Sequence, residues 1–187
     1  MGQQLKPDNS ADNHGYLVYS REPFDLDRIA LSIERIIQQE PMLRARVVEG
    51  DWRFGDDLHF CIENAGNAVF SDLLEFKSCP TRSSADQYIK SCFEIPFDLN
   101  PKNSDASRYG LCRYIIVDIP QETQIFVFVC HHALLDGYSA QLHGQQMAEQ
   151  CFGPQQAFSV SDRPILNLQN YNAECAATHA LEADPAD

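Results

Sequence analysis

The heptapeptide His131-His132-Ala133-Leu134-Leu135-Asp136-Gly137 decides how this chain reads. It follows an apolar run, Gln124-Ile125-Phe126-Val127-Phe128-Val129-Cys130, and precedes a stretch of helical character. A strand would therefore carry two imidazoles to its end, with a carboxylate four residues past the second. Histidine has the side-chain pKa nearest neutrality, which suits proton transfer. Taken alone, the pattern also fits a packed core histidine beside an exposed one, with Asp136 acting only as a helix N-cap.

Working outward, periodicity outlines the elements. Gly15 to Ser20 reads as a strand with two aromatics and a valine. From Asp25 to Gln39, Leu26, Ile29, Ala30, Ile33, Ile36 and Ile37 recur at spacings of three and four. They predict an amphipathic helix that packs on the sheet through Ile29, Ile33 and Ile36 and ends at Pro41. Residues 43–49 read as a strand. Residues 51–54 and 58–62 read as two more around the Gly55-Asp56-Asp57 turn, and 68–70 as a short one. A second helix is expected over 83–93, capped by Ser83 or Ser84, followed by a loop over 96–105. Residues 109–118 and 123–130 read as the two best strands, joined through 120–122 as a hairpin. A third helix is expected over 137–152, stopped by Gly153-Pro154, and a short one within 163–177. The pattern is an α/β layered domain with a mixed sheet packed with helices. Residues 1–14 form a polar segment, 15–175 the domain, and 176–187 an acidic tail.

Composition narrows the function classes. The chain has 187 residues, 44% of them hydrophobic, enough for one domain with a core. A net charge of −13 argues against nucleic acid and against an anionic membrane surface. No stretch is long and apolar enough to span a bilayer, and the first residues lack a signal-peptide pattern. The seven cysteines include no C-x-x-C pair and are read as free thiols in a reducing cytoplasm. Cys112 and Cys130, in apolar strands, are read as small core residues. Metal-ligand spacing is absent, so no metal is expected. Neither a P-loop nor G-x-G-x-x-G occurs, so no nucleotide or dinucleotide cofactor is expected.

The heptapeptide resembles the HHxxxDG signature of condensation domains of nonribosomal peptide synthetases, in the chloramphenicol-acetyltransferase-like superfamily. Pro96-Phe97-Asp98-Leu99 resembles the PFDL segment that precedes the catalytic strand there, and Leu111-Cys112-Arg113 the segment between the two. Phe24-Asp25-Leu26-Asp27 and Glu40-Pro41-Met42-Leu43-Arg44-Ala45 resemble the first helix and its exit. The matches lie in the family's order and span roughly residues 15 to 175. Catalytic members have two similar lobes with a tunnel between them. This sequence resembles the N-terminal, histidine-bearing lobe alone.

The resemblance implies an acyltransferase lobe that forms an amide or ester bond from an acyl thioester on a carrier protein's phosphopantetheine arm. His132 would accept the nucleophile's proton or position that nucleophile, with Nε2 within about 3 Å of it. His131 would point the other way and hold the loop. Asp136 would be structural, paired with Arg44, and Gly137 would let backbone approach closely at the helix start. That helix N-terminus would face the developing oxyanion. Expected partners are an acyl or peptidyl carrier protein and a second lobe, from another chain, a longer protein or a homodimer. Two alternatives stay open: an acyl-CoA:alcohol acyltransferase of the same superfamily, and a non-catalytic binding or scaffold half-domain.

The remaining polar residues are given structural roles. Ser139 reads as a first-turn helix residue, since no G-x-S-x-G elbow surrounds it. His143 is expected on an exposed or half-exposed helix face. His14, His59 and His179 are read as incidental, and Trp52 as core or edge packing.

Overall fold

The computed structural model describes residues 10–49, 58–62, 64, 74–97, 99, 111–152 and 166–167. Within them the order is β1 (Asn13–Ser20), α1 (Leu26–Gln39), β2 (Ala45–Glu49), β3 (Leu58–Ile62), β4 (Leu74–Ser78), α2 (Arg82–Glu94), β5 (Cys112–Ile119), β6 (Thr123–His131), α3 (Gly137–Met147) and β7 (Leu166–Asn167). Short 3-10 helices occupy Ser10–Asp12 and Pro41–Arg44.

Five strands form one mixed sheet in the order β4-β5-β6-β1-β7. Among the described strands only the β4–β5 pair is parallel, and β6 is the middle strand. β2 and β3 pair separately as an antiparallel ribbon. Ile125 to Cys130 of β6 are fully buried, so the sheet is covered on both faces. Strand alternation assigns those faces. Tyr16, Tyr114 and Phe128 stack toward His143 of α3. Asn13 and Arg113, one residue out of phase with them, reach carbonyls at the end of α2.

The amphipathic reading of α1 holds. Ile29, Ile33 and Ile36 are buried in the core cluster, and Asp25 caps the helix by accepting from the Arg28 N–H at 3.0 Å. Other elements differ from the sequence reading. β1 starts at Asn13, two residues early, because Asn13 and His14 pair with His131 and Cys130. Residues 43–44 close a 3-10 turn after Pro41, so that strand begins at Ala45. α2 is capped by Thr81, not Ser83 or Ser84; Thr81 and Ser84 form a reciprocal capping box. α3 ends at Met147 and continues over Ala148–Phe152 as a π-helical turn. There Arg28 Nε donates to the Gln150 carbonyl at 3.1 Å.

β4 was not foreseen. Leu74-Glu75-Phe76-Lys77-Ser78 is the edge strand of the sheet among the described residues, and the charges beside its exposed Phe76 are the usual protection of such an edge. Leu166–Asn167, within the expected short helix of 163–177, pairs with β1 as strand. The strands expected at 51–54 and 68–70, Trp52, His179, Gly153-Pro154 and the 176–187 tail lie outside the described residues. Cys112 and Cys130 are buried opposite each other on β5 and β6, and the six described cysteines are free. Burial pushes the Cys112 thiol up to about 12, so it stays protonated. No helix among the described residues is long and apolar enough to cross a membrane.

Gly15 marks where β1 presses on β6. A Cβ there would sit 1.8 Å from the Phe128 carbonyl oxygen, a backbone atom that cannot swing away. Gly15→Ala should therefore cost roughly 3 kcal/mol by forcing the strands apart. Urea unfolding measures this; a midpoint equal to the parent's would contradict the close approach.

Candidate active site

The end of β6 separates the two imidazoles by one step of strand alternation. His131, still in the strand, is buried and meets the edge of Phe97, with ring centroids 6.4 Å apart. Its Nδ1 accepts from the Ala133 N–H at 3.0 Å, which closes the turn. Burial holds its pKa below the ordinary value, with the nearby Asp12 charge opposing.

His132 emerges on the α3 side and is exposed. Its N–H donates to the Asp12 carbonyl at 2.7 Å. Its ring lies on that of His14, centroids 4.9 Å apart and 24° between planes. His14 is buried, and burial, then the neighbouring His132, lowers its pKa to about 4. His14 is therefore uncharged at neutral pH. The strand read as starting at Gly15 left this histidine out. The register that places it opposite Cys130 brings it to His132.

Asp136 caps α3, accepting from the Ser139 N–H at 2.8 Å. Those Ser139 hydrogen bonds hold its carboxyl below the ordinary carboxylate range. The expected ion pair with Arg44 is not formed among the described residues. Arg44 Nη1 instead donates to the carbonyls of Ile37 and Gln38, the latter at 2.8 Å. The orphan carbonyls at the end of α1 lie only a turn away and take the guanidinium. Asp136→Ala should then lower the melting temperature slightly, and Asp136→Asn, which keeps a capping oxygen, still less. A large loss on calorimetry for Asp136→Asn would show that the charge matters beyond the cap. Gly137 opens α3 directly behind this cap, and Tyr138 beside it is 71% exposed.

The PFDL-like segment is tied down beneath His131. Arg113 Nη1 donates to the Cys92 carbonyl at 3.1 Å and to the Ile95 carbonyl at 2.9 Å, and Nη2 to the Pro96 carbonyl at 3.1 Å. Its guanidinium lies 4.0 Å from the Phe97 ring centroid. Asn13 Nδ2 adds bonds to the Phe93 and Ile95 carbonyls at 2.9 and 2.8 Å. One cation thus satisfies the end of α2 and steadies the ring under His131. Arg113→Ala should cost about 2–4 kcal/mol, because charged hydrogen bonds to otherwise orphaned carbonyls are lost together. Chemical denaturation reads this, and a loss well under 1 kcal/mol would contradict it.

His143 overturns its expected exposure. It is 4% exposed, stacked on Phe128 at 4.2 Å. Tyr16 Oη lies 2.9 Å from its Nδ1 and Tyr114 Oη 3.1 Å from its Nε2. Burial lowers its pKa to about 3 and raises both phenols well above theirs. The neutral ring has one N–H and one lone pair, so one phenol donates to it and the other accepts. This is a core network, away from the His132 turn. Of the other polar residues read from sequence, Ser139 is a first-turn residue of α3, and His59 lies in β3. No group of three metal-ligating side chains occurs among the described residues.

The fold is that of part of the solved condensation domains. The chain superposes on the first condensation domain of the CDA synthetase with a TM-score of 0.61 and 16% identity, covering 79% of this chain and 35% of that one. The starter condensation domain of rhizomide synthetase RzmA gives 0.60 and 16%, covering 76% and 33%. A condensation domain of the enacyloxin polyketide synthase gives 0.58 and 17%, covering 97% and 33%. In sequence, the chain is 30% identical over 120 residues to the nonribosomal peptide synthetase ungA of Aspergillus violaceofuscus. That alignment spans 63% of this chain and 1% of the synthetase. No family model matches the chain. The chain spans about a third of the length of these solved structures.

Proposed function

We propose that this chain is the histidine-bearing lobe of a condensation-type acyltransferase. It would form an amide or ester bond from an acyl thioester on a phosphopantetheine arm. The observation that carries the reading is His132. It is exposed at the end of the central strand, held at its backbone by Asp12 and at its ring by His14. An attacking amine or hydroxyl reaching Nε2 would be positioned or would lose its proton there as the carbonyl carbon is attacked. The N-terminus of α3, set by the Asp136 cap, would place its partial positive charge toward the developing oxyanion. His131 and Gly137 support the turn and take no part in proton transfer. A rhizomide starter domain of this fold has been solved with C8-CoA, which supports a thioester as the substrate class.

Turnover needs a second lobe. Tyr138 and Leu142, one turn apart on α3 next to the turn, are 71% and 43% exposed. Their side chains form an apolar ridge suited to the wall of a tunnel. A homodimer or partner lobe covering it should bury roughly 1,200 Å² or more in total. Light scattering at rising concentration, alone and with a second-lobe polypeptide, tests this. A stable monomer that ignores the partner would count against it. The function itself is tested by reconstitution. An acyl carrier protein loaded through phosphopantetheine is mixed with an amine acceptor and a second lobe, with and without this chain. Product only when the chain is present supports the reading, and equal product without it refutes it.

A further inference from the structure

We infer that His14 is a positioning residue: its ring is the plate against which the His132 imidazole is held in one orientation. The inference rests on the proposed function only for its catalytic consequence; the stack can be measured without turnover.

The argument begins with exposure. A histidine at a strand end, carried on a turn and exposed, would ordinarily sample several rotamers. Two contacts from the start of β1 restrict this one. The Asp12 carbonyl takes the His132 N–H at 2.7 Å and fixes the backbone. Two residues on, the His14 ring lies against the His132 ring at 4.9 Å, nearly parallel. His14 can serve as a plate because it is itself immobile. It is 5% exposed, on a strand in register with the central one, opposite Cys130. Its Nε2 has no hydrogen-bond partner among the described residues, and packing together with a hydrogen bond to the Leu135 backbone holds the ring.

Charge makes the plate suitable. The groups facing His14 are His132, His131 and the Asp136 carboxylate. Burial keeps His14 neutral down to about pH 4. A neutral ring can remain stacked on His132 while His132 gains a proton, whereas an imidazolium would repel it. A flat neutral ring should therefore substitute for His14, and a small side chain should not.

The test is an NMR comparison of the full chain with its His14→Phe and His14→Ala variants. Stacking displaces the carbon-bound ring protons of His132 upfield. We expect that displacement to be kept in His14→Phe and lost in His14→Ala, with the amide spectrum elsewhere unchanged. Identical His132 ring resonances in folded His14→Ala would overturn the inference. Should His14→Ala fail to fold, His132→Ala reads the same stack from the other side. The His14 ring protons should then move downfield, and their failure to move would overturn it equally. In the reconstituted assembly, kcat of His14→Ala should fall on the order of tenfold to a hundredfold with KM little changed, and His14→Phe should restore it. Full kcat in His14→Ala would also overturn the inference. A stack confirmed by NMR together with no acyl transfer by the parent chain would refute the proposed function and leave the positioning role standing.

Discussion

Stability should fall steadily as pH drops from 6.5 toward 3, and His143 should be the largest single contributor to the loss. Its folded pKa is about 3 against 6.5 in the unfolded chain. The unfolded state therefore takes up the proton first. The contribution is complete above pH 6.5 and is lost as pH falls toward the folded value. Each pH unit in that window costs about 1.4 kcal/mol, and the whole window about 5 kcal/mol. His14, also lowered, acts in the same direction from 6.5 toward 4. Between pH 6.5 and 5 most carboxylates remain ionised, so the slope there reports these histidines. Urea unfolding at half-unit pH steps measures it. His143→Gln should be less stable at pH 7.5, because the amide fits the two phenols less well. Its pH dependence should also be shallower. A flat parent profile from 6.5 to 5 would contradict the buried neutral network.

His132→Ala should remove acyl transfer and leave the fold unchanged. Positioned general bases contribute about 10²–10⁴-fold, and a residue that also orients the nucleophile adds to this. The stability cost should be about 0.5 kcal/mol or less, since His132 is exposed and its backbone bond to Asp12 survives the truncation. Arg113→Ala reverses this balance. It should destabilise strongly and depress activity only through the turn it supports. Melting curves and rates measured on both variants separate chemistry from scaffolding.

Legibility in the sequence followed how local each determinant is. α1 was legible because six apolar positions recur at helical spacing within fifteen residues. β6 and the position of His132 were legible because an unbroken apolar run feeds straight into the turn. The capping role of Asp136 was legible too, as it depends only on the Ser139 N–H three residues on. The rest depends on elements distant in sequence. The burial of His143 needs Tyr16 and Tyr114, supplied by two different strands. The place of His14 needs the β1–β6 register, which no local pattern encodes. The Arg44–Asp136 pair was expected from resemblance, and the structure shows the nearer carbonyls of α1 taking the guanidinium. β4 was overlooked because an exposed edge strand with alternating charge lacks the apolar content that marks buried strands.

The central claim is that His132 acts on the acyl-transfer step, and a single-turnover quench measurement tests it most directly. Carrier-bound acyl thioester at fixed concentration is mixed with excess amine and the assembled lobes, carrying either the parent chain or His132→Ala. Product is then counted by mass against time. The account predicts product in the first turnover from the parent and a rate at least a hundredfold lower from His132→Ala, with carrier binding and melting temperature unchanged. Equal single-turnover rates from the two chains would contradict it.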